Sequence, residues 1–141
     1  MAQTAISDRA KVEVFVFLLT PGLSMMSLAS AIEPLRALNR LLGRDAYLWR
    51  MASLTGDDID PSNGLTLRTL ALDEALKGAH RLFVVAGIGV NDVSARPYLA
   101  ALRKAARSGV AIGSVSTGAY LLARAGLIGA RRFTLHWESR S

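Results

Sequence analysis

Apolar and polar positions along the chain predict strands that alternate with helices. Because parallel strands buried between two helical layers are apolar on both faces, long apolar runs predict such strands. Four runs fit this description: Lys11–Leu19, Tyr47–Leu54, Arg81–Ala86 and Val110–Val115. A shorter strand is predicted over Leu65–Leu70, after the Asn63-Gly64 turn.

Helical patterns fill the segments between these strands. The longest follows the turn at Thr20–Leu23 and is predicted to end near Leu42, because Gly43 is a helix stop. Pro34 lies inside this helix and removes a backbone donor, so we expect a kink or a restarted turn there. The other predicted segments are a single turn at Asp73–Leu76, an amphipathic helix at Asp92–Arg107 before Gly109, and a short helix at Thr117–Ala125 before Gly126.

This alternation indicates an α/β sandwich, in which a mainly parallel sheet is covered by helices on both faces. The length of 141 residues fits one domain with a real core. An apolar fraction of 51% and a charged fraction of 20% exclude disordered and low-complexity classes. We expect residues 1–10 to form a flexible tail and residues 11–141 to form the domain.

One apolar segment also resembles a secretory signal. Residues Val14–Ile32 carry no charge, follow Arg9 and Lys11, and end near the small residues Ala29-Ser30-Ala31. The Pro21-Gly22 pair splits the segment, so a strand, a turn and a helix are favoured over a signal peptide or a membrane-crossing helix. The chain contains no cysteine, which suits a reducing compartment, and we expect a cytoplasmic protein with no membrane partner.

Basic residues outnumber acidic ones by 17 to 11, which gives a formal net charge of +6. An excess of this size is compatible with an anionic partner but does not identify one. The basic side chains form two groups: Arg96, Arg103, Lys104 and Arg107, and Arg124, Arg131, Arg132 and Arg140. No aromatic interleaving or DNA-reading motif accompanies the first group, so a solvated helix face is favoured there over a nucleic-acid surface.

Three strand-to-helix junctions are candidates for a ligand site. In parallel α/β sheets the ligand crevice lies beyond the carboxyl ends of the strands, which here means Thr20–Leu23, Gly87–Asn91 and Ser116–Gly118. The sharpest junction is Ala111–Ala119 (AIGSVSTGA), where a strand runs into a helix through a small polar residue. That shape is typical of a nucleophile elbow, and the amides that open the helix can hold an anion.

Ser116 at this junction has two interpretations, as a nucleophile or as the N-cap of the following helix. The elbow of serine hydrolases has glycine two residues before the serine, whereas this chain has Ser114, and no acid lies between Ser116 and His136. A serine nucleophile needs a positioned base, and His136 is the only plausible one. His80 precedes a core strand and receives no role.

Several motifs, taken together, resemble a known domain family. They are Gly113–Leu127 (GSVSTGAYLLARAGL), Arg131–Trp137 (RRFTLHW), Phe17–Ser24 (FLLTPGLS) and Glu33–Arg40 (EPLRALNR). The resemblance is to the ThiJ/PfpI-like, or class I glutamine amidotransferase-like, domain that forms the N-terminal half of GlxA-type AraC-family transcriptional regulators. It extends from about Lys11 to the end of the chain.

The resemblance implies a flavodoxin-like, three-layer sandwich that dimerises and senses a small metabolite, such as an amino acid or a quaternary amine. DNA would be bound through a helix-turn-helix domain that is absent from this chain. The resembled domain also continues beyond the His-Trp stretch, so we expect this chain to be incomplete at its C-terminal end. Neither a metal nor a cofactor is expected.

The resemblance also predicts that the site has lost its chemistry. Enzymes of the superfamily have cysteine at the position of Ser116, histidine at that of His136, and an acid at the position aligned with Ser27. Because a serine at the elbow is not poised as a thiolate, we expect a non-catalytic pocket. Its expected ligand-binding residues are Ser27, Gly87, Ile88, Ser116, Thr117 and His136. The alternative is an active enzyme, of the isonitrile hydratase or amidase type, that uses Ser116 and His136.

Overall fold

A computed structural model describes residues 11–91 and 95–134 of the chain. The described residues form one five-stranded sheet in the order β3-β2-β1-β4-β5, and every pairing in it is parallel. In chain order the elements are β1 (Glu13–Leu19), α1 (Met25–Leu42), β2 (Tyr47–Ser53), β3 (Leu70–Ala71), α2 (Leu72–Ala75), β4 (Arg81–Ala86), α3 (Ala95–Arg107), β5 (Ala111–Ser116) and α4 (Gly118–Arg124).

The two faces of the sheet pack against different helices. Val16 and Leu18 of β1 share a core with α2, α3 and α4, whereas Phe17 and Leu19 of the same strand pack with α1. Successive side chains of a strand point to opposite faces, so the helices lie in two layers with the sheet between them. The predicted α/β sandwich with a mainly parallel sheet is therefore confirmed.

Helix α1 has a well-defined beginning and end. The hydroxyl oxygen of Ser24 accepts a hydrogen bond from the amide of Ser27 at 3.3 Å, and Gly43 ends the helix with a φ of 64°. The helix continues through Pro34 without the restarted turn that the sequence allowed. Pro34 and Ser30 are both exposed, so water can reach the Ser30 carbonyl that proline leaves without a donor.

The strand predicted over Leu65–Leu70 is wrong, because β3 contains only Leu70 and Ala71. The residues before it form a loop with a single antiparallel bridge between Ile59 and Leu67. Leu65 is 54% exposed and does not belong to a strand, so its apolar side chain does not mark a buried position in the sheet.

The other predicted strands and helices are confirmed, and their first and last residues agree with the structure to within two positions where it describes them. The predicted start of the helix Asp92–Arg107 and the predicted tail at residues 1–10 lie outside the described residues. Within residues 11–91 and 95–134, no helix is both long enough and apolar enough to cross a membrane.

Candidate functional site

A cleft of about 450 Å³ opens at the carboxyl ends of the central strands. Strands β1, β4 and β5 are neighbours in the sheet, so the turns that follow them meet at one edge. Five of the six predicted ligand-binding residues line this cleft, and His136 lies outside the described residues. The lining consists of Ser24, Met26, Ser27, Ser62, Gly87, Ile88, Gly89, Val90, Asn91, Ser116 and Thr117.

Ser116 has an unusual backbone conformation at the junction of β5 and α4. Its φ is 58°, and no other non-glycine residue in the described part of the chain has a positive φ. The left-handed conformation costs an L-residue roughly 1–2 kcal/mol, so the surrounding fold must impose it. This geometry is typical of a nucleophile elbow, which projects one side chain above the sheet.

The interpretation of Ser116 as a helix cap does not match this geometry. The N-cap of α4 is Thr117, and its side chain makes no capping hydrogen bond. The Thr117 hydroxyl instead donates to the Gly87 carbonyl at 2.8 Å, which ties the β5–α4 junction to the turn after β4. The Ser116 side chain is therefore free of a capping role and lies at the surface of the cleft.

Two glycines allow the junctions to approach one another closely. A Cβ on Gly118 would overlap the Val84 carbonyl oxygen, and a Cβ on Gly87 would overlap the Gly22 carbonyl oxygen. Gly87 also pairs with Leu23 in an isolated antiparallel bridge. The base of the cleft is therefore made of closely packed backbone, and only residues without a side chain fit there.

The loop between β2 and β3 forms another wall of the cleft. The Ser62 amide donates to the Leu23 carbonyl at 3.0 Å, and the Gly22 amide donates to the Asp60 carbonyl at 2.9 Å. Ile59 and Pro61 are buried and anchor the loop. Ser62 was not predicted as a site residue, because its place depends on these long-range backbone contacts rather than on a local motif.

Gly89, Val90 and Asn91 also line the cleft; they lie inside the predicted junction Gly87–Asn91 but were not among the predicted ligand-binding residues. Ser24 and Met26 were missed, because they follow the junction Thr20–Leu23 and the rule about strand ends does not say which neighbours face the cleft. Met26, which is 78% exposed, and the strongly exposed Ile88 form an apolar rim of the cleft.

The described lining of the cleft contains no charged side chain. Ser24 is occupied with capping α1, whose first turn has no acidic residue. The amides of that turn therefore present their partial positive charge without a neighbouring carboxylate. Within the described residues, no group of three or more His, Cys, Asp or Glu side chains is arranged to hold a metal ion.

Tyr98 of α3 binds the carboxyl end of β1, the strand that precedes one of the cleft's turns. Its buried hydroxyl donates to the Leu19 carbonyl at 3.3 Å, at the end of β1. Burial raises the pKa of Tyr98 above its usual value, so the phenol remains neutral and keeps its proton for this hydrogen bond. His80 lies at the opposite edge of the sheet, where its Nδ1 accepts from the Val14 amide at 3.0 Å.

Comparison with curated proteins identifies relatives among transcriptional regulators, although no protein-family model matches the chain. The chain is 43% identical over 125 residues to the HTH-type transcriptional regulator CdhR of Pseudomonas aeruginosa. It is 39% identical over 135 residues to the HTH-type transcriptional regulator GlxA of Rhizobium meliloti. These matches cover 89% and 95% of this chain but only 37% and 42% of the relatives' lengths.

Solved structures show the same fold. An AraC family transcriptional regulator from Pseudomonas putida superposes with a TM-score of 0.81 and 32% identity, over 91% of this chain and 69% of that one. A ThiJ/PfpI domain protein from Brachyspira murdochii has a TM-score of 0.73 at 10% identity, over 91% of this chain and 72% of its own. The second likeness shows the fold alone, and it confirms the expected flavodoxin-like architecture.

Proposed function

Because the chain belongs to the ThiJ/PfpI-like domains of AraC-type transcriptional regulators, we propose that it senses a small metabolite and dimerises without catalysing a reaction. The chain covers less than half of the curated regulators' lengths, so DNA binding is assigned to a separate domain of the longer protein. We place the regulator in the cytoplasm, where it would meet both the metabolite and the DNA.

The observation that carries this proposal is the strained Ser116 elbow over an open polar cleft. A strained conformation persists where the fold imposes it, and such positions concentrate at functional sites. The described lining offers hydroxyls, amides and carbonyls, but no side chain that would act as a general base towards Ser116. These groups suit reversible binding of a polar molecule better than covalent chemistry.

The ligand we propose is a small nitrogenous metabolite that bears a carboxylate. The first turn of α1 opens towards the cleft without an acidic residue, and α4 starts at its other side. Helix ends of this kind favour an anionic group by roughly 1 kcal/mol over a neutral analogue, and by less where water fills the site. Amino acids and quaternary amines with a carboxylate are therefore the first compounds to test.

Thermal unfolding of the chain with a panel of such metabolites tests the sensing proposal. A ligand that binds only the folded state raises the apparent melting temperature. Ser27→Phe, which would fill the cleft, should abolish this rise, whereas Ser30→Phe on the exposed side of the same helix should retain it. A panel that leaves the wild-type chain unchanged, or a response that survives Ser27→Phe, would contradict the proposal.

Dimerisation is tested separately by light scattering over a range of concentrations. We expect the mass of a dimer at the higher concentrations, and dissociation upon dilution if the interface is small. A monomer mass throughout would reject a dimer for this chain. Because this measurement needs no ligand, its outcome is independent of the sensing test.

The strained elbow also favours a second candidate, an active enzyme in which Ser116 is the nucleophile and His136 the base. His136 lies outside the described residues, so a measurement of product formation is the test of this candidate. Ser116→Ala distinguishes the two functions. An enzyme acting on amides or isonitriles should lose product formation in this variant, whereas a sensor should form no product in either protein and retain part of its response through backbone amides.

A further inference from the structure

A second concave site lies between α2 and α3, on the face of the sheet opposite α1. Helix α2 is a single turn of four residues, so it leaves space beside α3 that a longer helix would fill. The resulting groove has a volume of about 430 Å³, and it shares no lining residue with the cleft at Ser116. Its floor is apolar and consists of Leu54, Leu72, Leu76, Ala101 and Ala105.

The rim of this groove carries excess positive charge. It contains Lys77 and Lys104, two of the three lysines in the chain, and one acid, Asp73. Lys104 Nζ lies 3.1 Å from Asp73 Oδ1, but both side chains are more than two-thirds exposed, so this ion pair is weak. Within the described residues Lys77 forms no ion pair.

Two backbone carbonyls near the rim are already hydrogen-bonded within the protein. Arg50 Nη1 donates hydrogen bonds to the carbonyls of Ala75 and Lys77, each at 2.7 Å, at the end of α2. The Ser108 hydroxyl is likewise bonded to the Ala105 carbonyl at 2.7 Å. The polar groups left for a ligand are therefore mainly the two ammonium groups.

We propose that this groove is a second ligand site, which binds a small aliphatic carboxylate. The aliphatic tail lies on the leucine and alanine floor, and the carboxylate accepts hydrogen bonds from Lys77 and Lys104. A volume of about 430 Å³ is of the size that encloses a small molecule.

Titration of the isotope-labelled chain with octanoate, followed by amide NMR, tests the proposal. Octanoate should shift the resonances of Leu76, Ala101 and Ala105, whereas octanol should bind on the order of tenfold more weakly because it lacks the charge. Octylammonium should bind more weakly still. Equal binding of all three compounds, octanoate shifts confined to Gly87 and Ser116, or no shift at all would overturn the proposal.

Variants of the rim separate the effect of charge from the effect of shape. Lys104→Gln should weaken octanoate binding by about tenfold, and Arg96→Gln, which removes an exposed charge from the same helix, should leave it unchanged. Asp73→Asn should tighten binding by about threefold, because it frees Lys104 from its partner. Weaker binding in Asp73→Asn would show that the site prefers a cation and would overturn the proposal.

Filling the groove is a third, independent test. Ala101→Phe places a ring on the floor and should abolish octanoate binding, whereas Ala100→Phe on the exposed side of α3 should not. Retained binding in Ala101→Phe would contradict the assignment. If this variant does not fold, the lysine and aspartate substitutions still decide the outcome, since they change only exposed side chains.

Discussion

The two edges of the sheet use their polar groups in opposite ways. At the amino edge of the strands, polar side chains pair with the backbone and complete the fold. The Asn39 side chain accepts from the amides of Ala46 and Tyr47 and donates to the Tyr47 carbonyl, and His80 accepts from the Val14 amide. These bonds tie α1 to the start of β2 and the residue before β4 to β1, so the groups that make them stabilise the fold.

At the carboxyl edge Thr117 and Ser24 also bond to the backbone, but several other polar side chains remain open. The hydroxyls of Ser27, Ser62 and Ser116 have no hydrogen-bond partner among the described residues, although all three line the same cleft. Ser116 also has a strained backbone, whereas no residue of the amino edge does. Polar groups that the chain itself satisfies stabilise the fold, whereas unpaired polar groups beside a strained backbone indicate a binding site.

Gly118→Ala should produce the largest loss of stability, because its Cβ would overlap the Val84 carbonyl beneath the cleft. We expect a cost of about 3 kcal/mol in the free energy of unfolding, measured by urea denaturation. Gly109→Ala is the matched control, since it also replaces a glycine but its Cβ meets no atom within 4 Å. The control should cost only about 1 kcal/mol, which reflects its positive φ alone. Equal losses in the two variants would show that the close approach under the cleft is unimportant.

Asn39→Ala should have the next largest effect and tests the amino edge. It removes three hydrogen bonds between α1 and the start of β2, with lengths of 2.7 Å to 2.9 Å. We expect a loss of about 2–3 kcal/mol, because two backbone amides and a carbonyl lose their side-chain partner. Asn63→Ala removes one exposed bond of 3.2 Å and should cost less than about 1 kcal/mol. Asn39→Ala should also leave the ligand response of the folded protein unchanged.

Ser116→Gly should stabilise the protein slightly or leave its stability unchanged, in contrast to the two substitutions above. Glycine adopts a positive φ without strain, so we expect the free energy of unfolding to rise by up to about 1 kcal/mol. Ser114→Gly, two residues earlier in β5, should instead destabilise by about 1 kcal/mol, since glycine in a strand loses more entropy on folding. A clear destabilisation by Ser116→Gly would mean that the side chain contributes to the fold and that the elbow is not strained.

The sequence could predict the layered fold because apolar runs and helical periods are local signals. Arg81–Ala86 and Val110–Val115 read as buried strands, and the structure pairs them side by side. Leu65–Leu70 carries a similar local signal, but a strand also needs a neighbour with free backbone groups, and sequence patterns do not report neighbours.

The site could also be predicted where local signals mark it, and not where long-range contacts form it. Residues at strand ends, such as Ser116 and Gly87, follow from the general rule about parallel sheets together with the family resemblance. Ser62 did not follow, because a hydrogen bond to Leu23, distant in sequence, brings it to the cleft. The positive φ of Ser116 was not foreseen either, since serine has no intrinsic preference for that conformation.

We infer that the elbow at position 116 presents its side chain to a site that stabilises negative charge. The chain contains no cysteine, so a single introduced thiol can be followed without background. We would compare the alkylation rates at neutral pH of Ser116→Cys and of Ser30→Cys, an exposed control on α1. Since helix N-termini lower the pKa of a thiol, the account predicts faster alkylation at position 116 than at position 30. Equal or slower alkylation at position 116 would contradict it.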